Sequence, residues 1–260
     1  MPLFERPFPS HPVFTALGVR VNAIQIPDVV ARMEAWISER KGCHFIAVTG
    51  MHGVIEAQHD PSFKEILNSA DLVVPDGMPL VWLGRRRGHP LRRRVYGPEL
   101  MQTFCSTTGP RFRHFFYGGA PEIPDLLAGV MKNTCGIDVA GTLSPPFRTL
   151  SDKEDEEILE RIGSAKADVL WVGLSTPKQE RWMYRNRSRL QVPVVVGVGA
   201  AFDINTGKLR QAPGWMREHG LEWFFRLGQE PRRLWRRYLV YGSEFVLRIA
   251  FESLFFRKFD

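Results

Sequence analysis

Residues Ala70–Leu83 read ADLVVPDGMPLVWL. Leu72, Val73 and Val74 form a short apolar run of the kind found in a parallel strand buried on both faces. Pro75-Asp76-Gly77 stops that strand, and Pro79 fits the first turn of a helix, where its missing N–H costs nothing. The spacing predicts strand, sharp turn and helix, with Asp76 just beyond the carboxyl end of the strand. In open α/β sheets that edge is where ligands bind. A carboxylate so placed can take a proton from a substrate hydroxyl, or it can do no more than cap the helix.

The same pattern continues in both directions. Upstream, Phe14–Ile24 alternates as a strand or hairpin and Asp28–Glu39 as a helix. Phe45–Val48 reads as a buried strand ending at Thr49-Gly50, with helices over Gly53–His59 and Pro61–Asn68. Downstream, helices are predicted over Leu80–Gly84, Glu99–Thr107, Glu122–Lys132, Lys153–Ser164 and Lys178–Arg189. Strands are predicted over His114–Tyr117, near Val139, and over Val169–Val172 and Val194–Val198. This order predicts an α/β fold, a parallel sheet with helices on both faces. After Asp203 strand signals cease, and Trp215, Trp223, Phe224, Phe225 and Trp235 crowd among arginines. The expected organisation is an α/β domain over residues 1–205 and a helical, basic appendage over 206–260.

The 260 residues, 44% hydrophobic and 24% charged, suffice for a large α/β domain with an appendage and exclude wholesale disorder. Cys43, Cys105 and Cys135 lie far apart without a CxxC pair, which predicts a reducing compartment and no disulfide framework. The opening MPLFERPFPSHPVF has no basic-then-apolar leader pattern and is expected to form an irregular arm. No charge-free apolar run approaches the ~18 residues of a membrane span, so a cytoplasmic location is expected, with any membrane contact made by the surface.

Net charge is +7, and Lys208–Asp260 holds eleven Lys/Arg against six Asp/Glu. Such a terminus meets nucleic acid, anionic lipid or a phosphorylated substrate. A helix opened by Pro231 and running to about Tyr241 would gather Arg232, Arg233, Arg236 and Arg237 in one arc. Leu234, Trp235, Tyr238, Leu239 and Tyr241 would occupy the other, with Val240 out of place. That is the profile of a helix lying in a lipid interface; the alternative is a helix packed on its own sheet with a solvated basic face. Phe245–Phe256 adds apolar surface interrupted by Arg248 and Glu252, suited to a membrane or to a neighbouring subunit of a homo-oligomer.

Polar groups recur at the predicted strand ends: Thr49, Asp76, Gly118-Gly119, Thr176–Gln179 and Asp203. Gly118-Gly119 allows backbone N–H groups to approach a diphosphate, or makes a tight turn. Gly197-Val-Gly199 begins like a dinucleotide fingerprint but lacks the third glycine and the acidic partner. Thr176 with Gln179 fits a capping box and Pro177 the first helical position, which would aim a helix N-terminus at the ligand edge. The acidic run Asp152–Glu157 fits a solvated first helical turn. His52, Glu56 and His59 share a helix face, without zinc-protease spacing or a further ligand cluster, so no metal site is expected. No Asp-x-Asp occurs, and an enzyme acting on a nucleotide-sugar would have to stabilise its leaving diphosphate with arginines and helix N-termini.

The ordered set Asn68–Gly77, Arg94-Val-Tyr-Gly97, Gly118-Gly119, Pro177-Lys-Gln-Glu180, Gly197–Asp203 and Gly220-Leu-Glu-Trp223 through Arg237-Tyr238 resembles the WecG/TagA/CpsF family of bacterial glycosyltransferases, from Phe14 to Tyr238. The resemblance implies a Rossmann-like domain with a C-terminal membrane-binding appendage. It implies inverting, metal-independent transfer of an N-acetylmannosamine-type sugar, its uronic acid or a hexose, with no cofactor. The donor would be a UDP-sugar and the acceptor a polyprenyl-diphosphate-linked saccharide of surface-polysaccharide synthesis. The place would be the anionic, cytoplasmic face of the inner membrane. Carried over by position, the catalytic base falls on Asp76, and substrate contacts fall on Thr49, Arg94 and Gln179. The appendage arginines fall on Arg226, Arg233 and Arg236. Gly118, Gly119 and Asp203 complete the expected substrate-binding set. Met51 stands where the family commonly has asparagine, so the hydrogen bond to the sugar is missing there or is supplied by His52. Two other classes fit parts of the sequence: a nucleic-acid binder the basic tail, and a nicotinamide-dependent oxidoreductase the fold.

Overall fold

A computed structural model describes residues 11–255. The irregular arm expected at the start lies mostly outside the described residues. A hairpin comes first, β1 (Val13–Ala16) and β2 (Val19–Asn22), turned at Leu17 and Gly18 with φ of 52° and 80°. Two left-handed residues give a turn whose twist matches that of the flanking strands.

The body continues as α1 (Ile26–Glu39), β3 (His44–Thr49), α2 (Met51–His59), α3 (Pro61–Asn68), β4 (Leu72–Pro75), α4 (Met78–Arg86) and α5 (Gly97–Thr108). Then come β5 (Arg113–Gly118), α6 (Ile123–Cys135), β6 (Asp138–Leu143), α7 (Asp152–Ser164), β7 (Val169–Gly173), α8 (Lys178–Asn186), β8 (Val194–Gly197) and α9 (Ala201–Asn205). The six long-range strands form one parallel sheet in the order β4-β3-β8-β7-β5-β6. The expected α/β, Rossmann-like parallel sheet is therefore present. Each strand contributes alternate side chains to two cores, as the pleat requires. Phe45, Ala47, Leu170 and Val172 meet α2, α3 and α8; Ile46, Val48, Val169 and Trp171 meet α1, α5 and α6. Helices cover both faces.

The free edge of β4 is closed by the hairpin. The Val73 N–H donates to the Asn22 side-chain oxygen at 2.8 Å, so a side chain replaces the missing neighbour strand. At the start of α7 the acidic run behaves as expected: Ser151 and Glu154 form a reciprocal capping box.

Beyond α9 come α10 (Gly214–Glu218), α11 (Glu222–Gln229), α12 (Pro231–Trp235), a π turn over Arg236–Val240 and α13 (Tyr241–Phe255). This segment is helical and basic, and it leans on the body. Leu234 and Phe245 are buried, and α13 lies against α2. One expectation is corrected here. The even amphipathic helix from Pro231 to Tyr241 is interrupted, because the π turn adds a residue and rotates the remainder of the helix by about 100°. Arg232, Arg233 and Arg236 stay exposed while Arg237 is drawn inward; Tyr238 and Tyr241 also turn toward the body, and Leu239 and Val240 face out. Among the described residues no helix is long and apolar enough to cross a membrane.

Candidate active site

The ends of β3 and β4 are clamped together where the site begins. The Asp76 N–H donates to the Thr49 carbonyl at 2.9 Å. A Cβ on Gly50 would stand 2.5 Å from the Asp76 carbonyl oxygen, so only glycine lets the two chains close here. Gly77, at φ 113°, then swings the backbone into α4 and is itself the N-cap, with no side chain bonding the first turn. Asp76 therefore does not cap α4.

Its side chain stands instead where two cavities meet. One, of about 110 Å³, is lined on the α2 side by Gly50, Met51 and His52. The other, of about 70 Å³, is lined by Ser175, Thr176, Gln179 and Gly199. Asp76, Tyr96, Arg226 and Arg237 face both. Burial lifts the Asp76 carboxyl to about 6; Arg94 opposes the rise, Glu222 adds to it, and Arg237 and Arg226 pull it back. A carboxyl so tuned is ionised at neutral pH yet basic enough to hold a proton.

The guanidinium groups come from two directions. Arg94, from the loop before α5, lies 4.0 Å over the Tyr96 ring and is paired with Glu222 of α11. The Tyr96 hydroxyl donates to the same carboxylate at 3.1 Å, so one acidic residue of the C-terminal segment fixes two side chains of the body. Arg226 and Arg237 arrive from the helices themselves. Burial pulls the Arg237 pKa down, and the Nε atoms of both residues are buried without a hydrogen-bond partner. Among the described residues Arg237 makes no ion pair. Arg226 pairs with Glu230 at 4.0 Å through its terminal nitrogen, and the two unpartnered Nε–H groups can donate to an anion.

Other expected positions are distributed unevenly. Thr49 is buried at the end of β3 with its hydroxyl unpartnered. His52 packs against Tyr241, its ring centroid 5.5 Å away, and burial with the nearby Arg237 lowers its pKa to about 3, so the imidazole is neutral. Gln179 accepts from the Gly199 N–H at 3.0 Å and donates to Glu180 at 2.9 Å. Arg233 lines the smaller cavity and pairs with Glu230 at 2.8 Å. Asp203 is half-buried; burial raises its pKa, and Arg233 and Arg226 draw it back. Arg236 is exposed and lines neither cavity. Gly118 and Gly119 also lie outside both, on a strand four places along the sheet from β4. The Gly119 N–H donates to the Gly173 carbonyl at 3.0 Å, a contact between neighbouring strand ends.

The predicted Thr176–Gln179 capping box is not formed. α8 starts at Lys178 with Pro177 as N-cap, and the Thr176 hydroxyl donates to Glu180 at 2.7 Å. No His/Cys/Asp/Glu cluster among the described residues is arranged to hold a metal. His52 turns to Glu56 at 3.3 Å and His59 to Glu244 at 2.9 Å.

A basic carboxylate beside several guanidinium groups is equipped to move a proton and to hold a leaving diphosphate. The description "Glycosyl transferase WecG/TagA/CpsF family" matches residues 14–259. The chain belongs to this glycosyltransferase family. A relative in Bacillus spizizenii is 29% identical over 83% of this chain and 82% of its own length. One in Staphylococcus aureus strain MRSA252 is 25% identical over 85% of this chain and 86% of its own. Both are N-acetylglucosaminyldiphosphoundecaprenol N-acetyl-beta-D-mannosaminyltransferases. A third with that name, in Bacillus subtilis strain 168, is 28% identical over 69% of each chain. Membership in the family displaces the nucleic-acid-binder and oxidoreductase readings.

Four residues in or beside the cleft escape a reading of the sequence: Tyr96, Glu222 and Arg237, which line it, and Glu180, which holds Gln179 and Thr176. Glu222 and Tyr96 sit inside quoted motifs, Gly220–Trp223 and Arg94–Gly97, but nothing in their spacing says that they meet. Helical periodicity assigns Arg237 to the basic arc of an interfacial helix, and the π turn that redirects it leaves no mark on that periodicity.

Proposed function

We propose that this family member is an inverting glycosyltransferase that moves an N-acetylmannosamine-type sugar from a UDP-sugar to a polyprenyl-diphosphate-linked saccharide, in the synthesis of a bacterial surface polysaccharide. One observation carries the reading: Asp76, with a carboxyl near 6, stands at the junction of two cavities faced by Arg226 and Arg237. The Asp76 carboxylate takes the proton of the acceptor hydroxyl as its oxygen attacks the anomeric carbon. The bond from that carbon to the UDP oxygen breaks on the opposite face, and UDP leaves with the electron pair. Arg226, Arg233 and Arg237 meet the charge that grows on the diphosphate, the role a divalent cation would otherwise fill. Thr49, His52, Arg94 and Gln179 are the sugar- and phosphate-positioning groups of this reading, with His52 acting as a neutral imidazole. The names of the relatives support both the sugar and the lipid-linked acceptor.

The exposed apolar side chains of α11 to α13 support docking at the cytoplasmic face of the membrane that carries such an acceptor. The test is release of UDP by the purified chain with UDP-N-acetylmannosamine and lipid-diphosphate-linked N-acetylglucosamine, with and without excess EDTA. UDP release dependent on both substrates and indifferent to EDTA is expected. Release that needs magnesium or manganese would overturn the arginine-based account of the leaving group.

A further inference from the structure

Next to the Asp76 cleft runs a larger groove of about 410 Å³, which shares Met78 and Arg94 with it. Trp82, Arg85, Arg92, Arg93 and Arg217 supply much of the rest of its wall, and none of Arg226, Arg233 or Arg237 reaches it. Its guanidinium groups divide into two sets. Arg85 donates to the carbonyls of Leu91 and Arg92, both at 2.6 Å, and so holds the turn that presents the next arginines. Arg93 pairs with Glu99 at 3.1 Å, and Arg94 with Glu222. Arg92 and Arg217 form no ion pair among the described residues, and the Nε of Arg217 is buried with no acceptor. A buried donor without a protein acceptor, in a groove where arginines outnumber the carboxylates Glu99 and Glu218, can receive a ligand oxygen. Guanidinium forks match phosphate oxygens better than any other side chain does.

We propose that this groove is the subsite for the diphosphate of the lipid-linked acceptor, with Arg92 and Arg217 as its binding residues. The assignment rests on the acceptor class proposed above. Inversion requires the attacking hydroxyl and the departing UDP to lie on opposite faces of the anomeric carbon. Arg226, Arg233 and Arg237 gather round the cavity that Gln179 lines, which suits the donor diphosphate. The acceptor sugar then lies over Asp76 and Arg94, and its own diphosphate extends past Arg94 into the groove. Trp82, 49% exposed on its wall, offers a flat apolar surface to the first carbons of the prenyl chain. An anionic phospholipid headgroup presents the same oxygens, so the experiment separates the two sources.

The probe is farnesyl-diphosphate-linked N-acetylglucosamine, titrated calorimetrically into the full chain, with UDP titrated in parallel. Arg92→Gln and Arg217→Gln are each expected to weaken the probe about tenfold, as loss of one charge-assisted contact does, without weakening UDP. Arg86→Gln, an exposed change of the same charge on α4 outside the groove, should leave both affinities in place. Three results would overturn the assignment: equal weakening of probe and UDP, equal weakening by Arg86→Gln, or unchanged probe affinity with reduced binding to phosphatidylglycerol vesicles. Arg92 is exposed, so its variant keeps the fold, and a thermal melt checks this. Because the readout is equilibrium binding, it stands apart from the base. Full turnover in Asp76→Asn would remove the proposed chemistry and leave the groove measurement intact.

Discussion

The body up to α9 and the helices after it treat apolar surface in opposite ways. Among the described residues sixteen large apolar side chains are exposed, and eleven of them lie between Trp215 and Leu254. The sheet, by contrast, leaves almost nothing apolar in water. Yet the segment that is poorest at hiding hydrophobic surface supplies Arg226 and Arg237 to the cleft and Glu222 to Arg94. The body contributes the carboxylate and the rigid strand ends; the segment contributes much of the positive charge and a surface unsuited to water. A site divided this way is complete only when the segment is seated, as it is here through Glu222 with Arg94 and Tyr96.

The sharpest way to break the comparison is on the body side. Asp76→Asn should lower turnover by roughly a hundredfold or more, the usual cost of losing a general base. Its melting temperature should rise. The carboxyl binds its proton more tightly folded than unfolded, so the Asp76 contribution to stability declines as pH climbs from the unfolded value toward about 6, and the penalty persists at neutral pH. The amide carries no such penalty. For the wild type the same value places the acid limb of the kcat/KM profile near pH 6, with activity lost below it. Near wild-type turnover in a folded Asp76→Asn protein would remove Asp76 from the chemistry.

On the other side, Arg237→Gln should cost about a hundredfold in kcat, comparable to losing one preorganised donor to developing charge. Arg236→Gln should cost about twofold or less, since Arg236 is exposed and lines neither cavity. Steady-state kinetics on the two variants compares neighbouring arginines of one turn. Equal losses would mean that the π turn does not set their roles.

That pair also marks where the sequence stops being legible. The strands of the body are readable because each is a short apolar run bounded by turn residues, as at Leu72–Val74, and the order of elements leaves one fold class. The same pattern places Asp76 at the strand end, but position alone leaves helix capping open, and the base role comes from the family resemblance. The Thr176 capping box misleads because the box is a local pattern while Glu180 is a buried carboxylate. A fully buried carboxylate needs more than one donor, so the threonine hydroxyl joins the Gln179 amide on Glu180 instead of capping the helix. Gly118 has a packing reason of its own, since a Cβ there would stand 2.6 Å from the Gly173 backbone. Contacts such as Arg94 with Glu222 join residues far apart in the chain, and no local pattern encodes them.

A smaller effect is expected from the outer face of the segment. Leu247 and Leu254 are 70% and 77% exposed and touch none of the cleft. Replacing both by Glu should reduce partition onto anionic vesicles more than about tenfold, since each leucine sequestered from water is worth on the order of 1.5–3 kcal/mol. Turnover of a water-soluble short-chain acceptor should be preserved in the same protein. If vesicle binding persists while a homo-oligomer falls apart in sedimentation, the face covers a second copy of the chain rather than lipid.

The finest test asks whether the segment tunes the body's carboxylate as well as completing the cleft. Glu222 raises the Asp76 pKa, and it also engages Arg94, which lowers it. Glu222→Gln removes the first influence outright and leaves Arg94 with an undiminished charge beside Asp76. Both changes favour the ionised carboxyl, so the acid limb of kcat/KM should move to lower pH than the wild-type limb near 6. The amide oxygen can still accept from Arg94, and its NH2 can donate to the Tyr96 hydroxyl oxygen, so the seating of α11 should survive and the rate on the pH plateau should fall only about twofold. A limb that stays in place, in a protein whose melting curve is unchanged, would show that the segment supplies charge to the substrate without setting the basicity of Asp76. A limb that moves to higher pH would mean that Arg94 leaves the cleft once Glu222 releases it, and that the body depends on the segment for position as well as for charge.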